Sequence, residues 1–141
     1  MRGALIALFV LLLLSAAVAT SAVLVRDYNQ LAIERSDIQE RWSQLEADMK
    51  RRARDIRSGP PSLLLVRDAV LNAKGKREEM EANNHLDDLV GAEMADATQK
   101  IDTDRSEYNE AIQKYNTDLK LFPKNVTASL FRFQRDDEYF R

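Results

Sequence analysis

Apolar residues are distributed in two different ways along this chain. Gly3–Val25 is a run of 23 residues without a charge, interrupted in polarity only by Ser15, Thr20 and Ser21. As a helix it would reach about 34 Å at 1.5 Å per residue, which matches a hydrocarbon core of roughly 30 Å. From Asp27 to Arg57 the apolar positions recur every three or four residues instead, at Tyr28, Leu31, Ile38, Trp42, Leu45, Met49 and Ile56, with no Pro or Gly between them. That spacing predicts a helix about 46 Å long with a narrow apolar stripe, and Arg35 and Arg52 fall on the same seam. So narrow a stripe requires partner helices.

Ser58-Gly59-Pro60-Pro61 stops the pattern, because Gly favours a helix C-terminus and Pro cannot continue one. Ser62 is the expected cap of a second helix that starts at Leu63-Leu64-Leu65-Val66 and continues through Val70 and Leu71 to Ala73. Past Lys74 the pattern degrades through Gly75 and a charged run. Lys74–Asn84 therefore reads as a frayed helix end, and Asn83-Asn84-His85 as a turn. A third helix is expected from about Leu86 to Leu121. Its seam is Val90, Met94, Ala97, Ile101, Tyr108, Ala111, Tyr115 and Phe122, widened by Ile112 and Leu119. Asp104 and Asp118 lie on that seam too, so a pairing with the two seam arginines of the first helix is expected. Pro123 then introduces a short helix over Asn125–Leu130. The tail, with Phe131, Phe133, Tyr139 and Phe140, is aromatic enough that it should fold back on the bundle.

The pattern as a whole predicts an all-α protein. Residues 1–25 form an N-terminal transmembrane anchor, and residues 26–141 an antiparallel bundle of three long helices plus a short C-terminal one. An alternative for the N-terminus is a secretory signal, with Arg2 as its charged start, Ala4–Leu14 as its apolar region and cleavage after Ala19, which would release a secreted helical protein. The anchor is preferred because the apolar run continues past that point through Ala22-Val23-Leu24-Val25. The expected location is the cell membrane, with a single pass. Arg2 and the α-amine on one side against Arg26, Arg35 and Arg41 on the other leave the side of the bundle undetermined.

Charge narrows the function classes. Residues 26–141 carry 20 Lys+Arg against 23 Asp+Glu, and a slightly acidic domain lacks the basic face that nucleic acid requires. Zero cysteines exclude disulfides and thiol chemistry. His85 is the single histidine. A carboxylate-bridged metal site in a bundle would need one on each of two helices, and no nucleophile is placed beside it for a triad. No catalytic residue, metal or cofactor is therefore expected. Glu78, Glu79, Glu81, Asp87, Asp88, Glu93 and Asp96 read as a solvated helix surface. Lys50, Arg51, Arg52, Arg54 and Arg57 lie too far along the first helix to reach the bilayer, and suit a protein partner or the acidic region of a second copy. The repeated Tyr108-Asn109 and Tyr115-Asn116 fall on successive heptads. They are expected to serve packing, with each asparagine hydrogen-bonding across to the next helix.

Several words of the sequence carry a resemblance. Tyr28-Asn29-Gln30-Leu31 follows the anchor; then come Trp42-Ser43-Gln44 and the basic Lys50-Arg51-Arg52 with Asp55-Ile56 behind it. The second half gives Arg105, Tyr108-Asn109, Tyr115-Asn116, Phe122-Pro123, Ala128, Phe131, Phe133 and Tyr139-Phe140. In that order and near-spacing the chain resembles the LemA family of bacterial membrane-anchored helical proteins. The resemblance implies a scaffold or protein-interaction module of the bacterial envelope without catalytic activity of its own, linked to membrane protein quality control. Its implied partner is a membrane protease or another envelope protein, and the narrow seam leaves room for a homo-oligomer. The signature residues would be Tyr28, Asn29, Trp42, Arg51, Arg52, Arg105, Tyr108, Asn109, Tyr115, Asn116, Phe122 and Pro123. The chain departs from the family between Lys74 and Leu86, where it looks shortened, and three main helices are expected where the family has a four-helix bundle.

Overall fold

A computed structural model describes residues 2–140, and among them every regular element is helical. The first helix, α1 (Arg2–Asp55), is a single rod of 54 residues, about 80 Å long. It passes without a break from the apolar run into the amphipathic stretch. Gly3–Val23 is exposed throughout and Leu24 half-buried, and the segment is long and apolar enough to cross a membrane. From Asp27 onward the expected seam turns inward: Leu31, Ile38, Trp42, Leu45, Met49 and Ile56 are all buried, while Tyr28 stays partly exposed. A side chain such as Leu45, taken wholly out of water, stabilises the fold by roughly 1.5–3 kcal/mol.

Four further helices follow: α2 (Pro61–Asn72), α3 (Lys76–Asp87), α4 (Ala95–Asp118) and α5 (Lys124–Phe131), with a short 3-10 turn at Ala92–Met94. The start of α2 differs from the expectation. Pro61 occupies its first turn and Ser62 makes no capping bond; the Leu64 amide instead donates to the Pro60 carbonyl at 3.2 Å. Proline already lacks the donor that a cap would satisfy.

Lys74–Asn84 is not a frayed end, and Asn83-Asn84-His85 is not a turn. Gly75, at φ 114°, breaks the chain, and a complete helix of 12 residues follows. It reads as irregular in sequence because two of its inward positions are polar: Glu79 and Asn83 are buried beside Met80 and Leu86, facing Lys50 and Arg52 of α1. The expected third helix is accordingly divided. Leu86 belongs to the end of α3, Val90 sits in the turn that follows, and α4 begins at Ala95.

Cross-helix contacts give the directions. Lys50 meets Glu79 and Arg52 meets Asn83 and Asp87, so α3 runs parallel to α1; α2, joined to α3 by three residues and packed on it, runs antiparallel. Lys100 with Asp48, Arg41 with Glu107 and Lys114 with Glu34 show α4 descending along α1. Helix α5 continues the descent, from Lys124 near Glu34 to Phe131 against Tyr28. The antiparallel bundle thus has an up-down-up-down course whose middle pair is short. At about 18 Å each, α2 and α3 cover only the far end of α1. The nearer half is faced by α4 and α5.

The expected pairing of seam charges does not form. Arg35 is exposed, Arg52 binds Asp87 on α3, Asp104 binds Lys100 on its own helix, and Asp118 binds Lys124. Each aspartate finds a lysine nearby in sequence before the arginines come within reach.

Candidate functional site

Seven residues, two helical turns, separate Tyr108 from Tyr115 and Asn109 from Asn116, so both pairs return to the same face of α4. Both tyrosine rings are buried in the core, and Trp42 of α1 lies 5.5 Å from the Tyr108 ring. Their hydroxyls emerge at the edge of α4, where the C-terminal tail runs past. Tyr115 donates to the Gln134 carbonyl at 3.0 Å and Tyr108 to the Glu138 carbonyl at 2.9 Å.

Each asparagine closes on the N–H and the C=O of a single tail residue. Asn116 donates to the Asp136 carbonyl at 2.6 Å and accepts from the Asp136 amide at 3.0 Å. Asn109 does the same with Phe140, at 2.8 Å in each direction. This is the bonding that a neighbouring β-strand would offer, supplied by side chains. A heptad of α4 spans about 10.5 Å and four extended residues up to about 14 Å, so the tail must contract slightly. The Glu138 amide bonds back to the Asp136 carboxylate at 3.0 Å, an Asx turn that provides the contraction. The asparagines therefore grip the tail, where the expectation was a bond to a neighbouring helix.

The tail reaches this groove through a Schellman-type end to α5. Arg132 takes a left-handed conformation at φ 58°, and the Phe133 amide bonds to the Ala128 carbonyl at 2.9 Å. At the other end Phe140 is buried, and the Arg105 guanidinium lies 4.3 Å from its ring centroid. Arg105 also binds Asp87, which pairs with Arg52 at 2.5 Å. Arg52 is fully buried and donates in addition to Asn83 at 2.7 Å and Thr98 at 2.9 Å. One connected network thus links α1, α3, α4 and the tail.

Burial pushes the Tyr108 hydroxyl above its ordinary range, with the hydrogen bond from Lys76 opposing the shift; Tyr115 is raised by burial as well. Both phenols are held neutral, which is the form that can donate to the tail. Lys76 spans the gap between α3 and the tail, bonding Tyr108 at 3.2 Å and pairing with Glu138 at 3.3 Å. It borders a cleft of about 500 Å³ between α3 and the tail.

Of the signature residues read from the sequence, Trp42, Arg52, Arg105, Tyr108, Asn109, Tyr115 and Asn116 come together here. Tyr28 sits at the opposite end of the bundle, its ring 4.9 Å from Phe131 and 5.5 Å from Phe133. Asn29 and Arg51 are exposed, and so is Phe122, which the seam placed in the core; with Pro123 it forms the turn between α4 and α5. His85 is exposed on α3. Asp87, Asn83 and Lys76 were not singled out as network members. Their sign in the sequence was polar residues interspersed among the inward positions of a helical repeat, which read as surface until the buried arginine opposite is known.

The model of the LemA family matches residues 66–141, which span the end of α2 through the tail and include the whole α4 ladder. No curated protein and no solved structure matches the chain.

Proposed function

The chain belongs to the LemA family, and we propose on that premise that it is a membrane-anchored helical scaffold that engages other proteins at the bacterial envelope, with no catalytic activity of its own. Its partner is a membrane protease or another envelope protein, in the service of membrane protein quality control. The observation that carries the reading is the α4 ladder. Six hydrogen bonds from α4 hold the main chain of residues 134–140. The side chains of Gln134, Arg135 and Asp137 stay exposed, Arg135 pairing with Asp137 at 3.1 Å, while the largely exposed Glu138 reaches Lys76. A charged peptide edge held rigid in this way loses little conformational entropy on association, which is what an interaction surface needs.

The test is photo-crosslinking in native membranes from a reactive residue at Asp137, with and without Asn109→Ala and Asn116→Ala. Adducts to a discrete envelope protein, lost when the ladder is removed, are the expected result. Adducts unaffected by loss of the ladder would contradict it. The rival reading, release after cleavage at Ala19, keeps its support in the Ala17-Val18-Ala19 sequence. Mass measurement of the mature N-terminus separates the two: a start at Met1 or Arg2 is expected, and a start at Thr20 would replace the anchored scaffold with a secreted one.

A further inference from the structure

Helix α5 carries an exposed apolar face at an unusual place. Val126, Leu130 and Phe131 are 50%, 63% and 49% exposed, and the helix runs down α1 toward the anchor. The distance to the bilayer can be counted along α1, because that helix is continuous. Tyr28 lies three residues beyond Val25, about 4.5 Å along the axis. Phe131 packs against Tyr28, so the end of α5 lies at the same height. The headgroup layer extends some 5–7 Å beyond the hydrocarbon on each side. The flanking groups suit that layer: Tyr28 itself is 42% exposed, and Arg26 and Arg132 are both exposed cations. Aromatic rings and basic residues concentrate at this depth.

We propose that the lower end of α5, with Leu130, Phe131 and the neighbouring Tyr28, is a second membrane-contact site, seated in the headgroup layer of the same bilayer that α1 crosses. The site rests on the anchor reading of α1. It fixes the height and rotation of the bundle, because a rod held by one helix can pivot while one held at two points cannot. The same count along α1 puts the basic residues Lys50–Arg54 about 38–44 Å from the boundary, so they take no part.

The chain has no cysteine, so one introduced residue can be labelled uniquely. Full-length Leu130→Cys, spin-labelled and reconstituted in phosphatidylcholine–phosphatidylglycerol vesicles, is compared with Leu12→Cys in the anchor and Gln39→Cys on the exposed side of α1. Collision with dissolved oxygen and with a water-soluble nickel chelate reads the depth of each label. The Leu130 label should meet nickel several-fold less often than the Gln39 label and more often than the Leu12 label. Equal nickel access at Leu130 and Gln39, with Leu12 protected, would overturn the contact site and leave the anchor intact. Free nickel access at Leu12 would remove both.

Discussion

Asn109 and Asn116 each use one amide group to satisfy both the N–H and the C=O of a tail residue, so truncating either leaves two main-chain groups without their partners. Loss of such bonds costs roughly 1–3 kcal/mol at each site, with the greater effect on the tail and less on the core. Phe140 is a member of the core, so Asn109→Ala should free it and lower the melting temperature by roughly 4–8 °C for each kcal/mol lost. An unchanged melting temperature would mean that the tail adds nothing to the bundle. Tyr108→Ala removes a buried ring and should cost about 3–5 kcal/mol, seen in denaturant unfolding. Alkali offers a gentler test of the same residue. Its folded-state value is raised above 10.0 chiefly by burial, so its contribution is complete below that pH and is lost as pH rises through the folded value. Tail release above pH 10, reduced in Tyr108→Phe and abolished only when Tyr115, raised in the same way, is replaced as well, is the expected outcome. Arg52 offers a loss of similar size. Replacing Asp87 alone leaves a buried guanidinium without its anion, at about 3–5 kcal/mol, whereas removing both partners together should be far milder.

Helix α3 depends on a backbone conformation as much as on side chains. Gly75 lies at φ 114° and ψ 153°, a region that only glycine enters freely, although the space around its Cα is open. Gly75→Ala should cost about 1–3 kcal/mol, read by urea unfolding, and a neutral effect would show that the α2–α3 connection can rearrange. This is also where the limits of the sequence are clearest. The long stripe of α1, the stop at Gly59-Pro60, the short helix after Pro123 and the return of the aromatic tail all followed from spacing and from proline and glycine chemistry. Helix α3 did not, because Glu79 and Asn83 face inward toward cations on another helix, and a periodicity count sees only apolar residues. The tail ladder was half legible: the heptad spacing put the tyrosines on one face, but a main-chain partner has no side-chain pattern to betray it. Phe122 was misplaced for a related reason, since the seam was extended past the end of α4 at Asp118.

At the scale of the molecule, one rod joins an apolar segment long enough to cross a membrane to a bundle along which the chain's own C-terminal tail is laid. Helices α2 and α3 reach only the far part of α1, and residues 134–140 lie along α4 with their last residue against Arg105. The tail thereby closes over the hydroxyls of both tyrosines of the repeat. Helix α5 brings the chain down to the level of Tyr28, and Arg132 turns it back up along α4. The ladder is the element on which the account stands, and amide hydrogen exchange in the full-length protein in lipid measures it directly. The amides of Asp136 and Phe140 should exchange slowly in the native chain, with Asn116→Ala releasing Asp136 and Asn109→Ala releasing Phe140. Rapid exchange at both amides in the native chain would show that the tail is not held by α4.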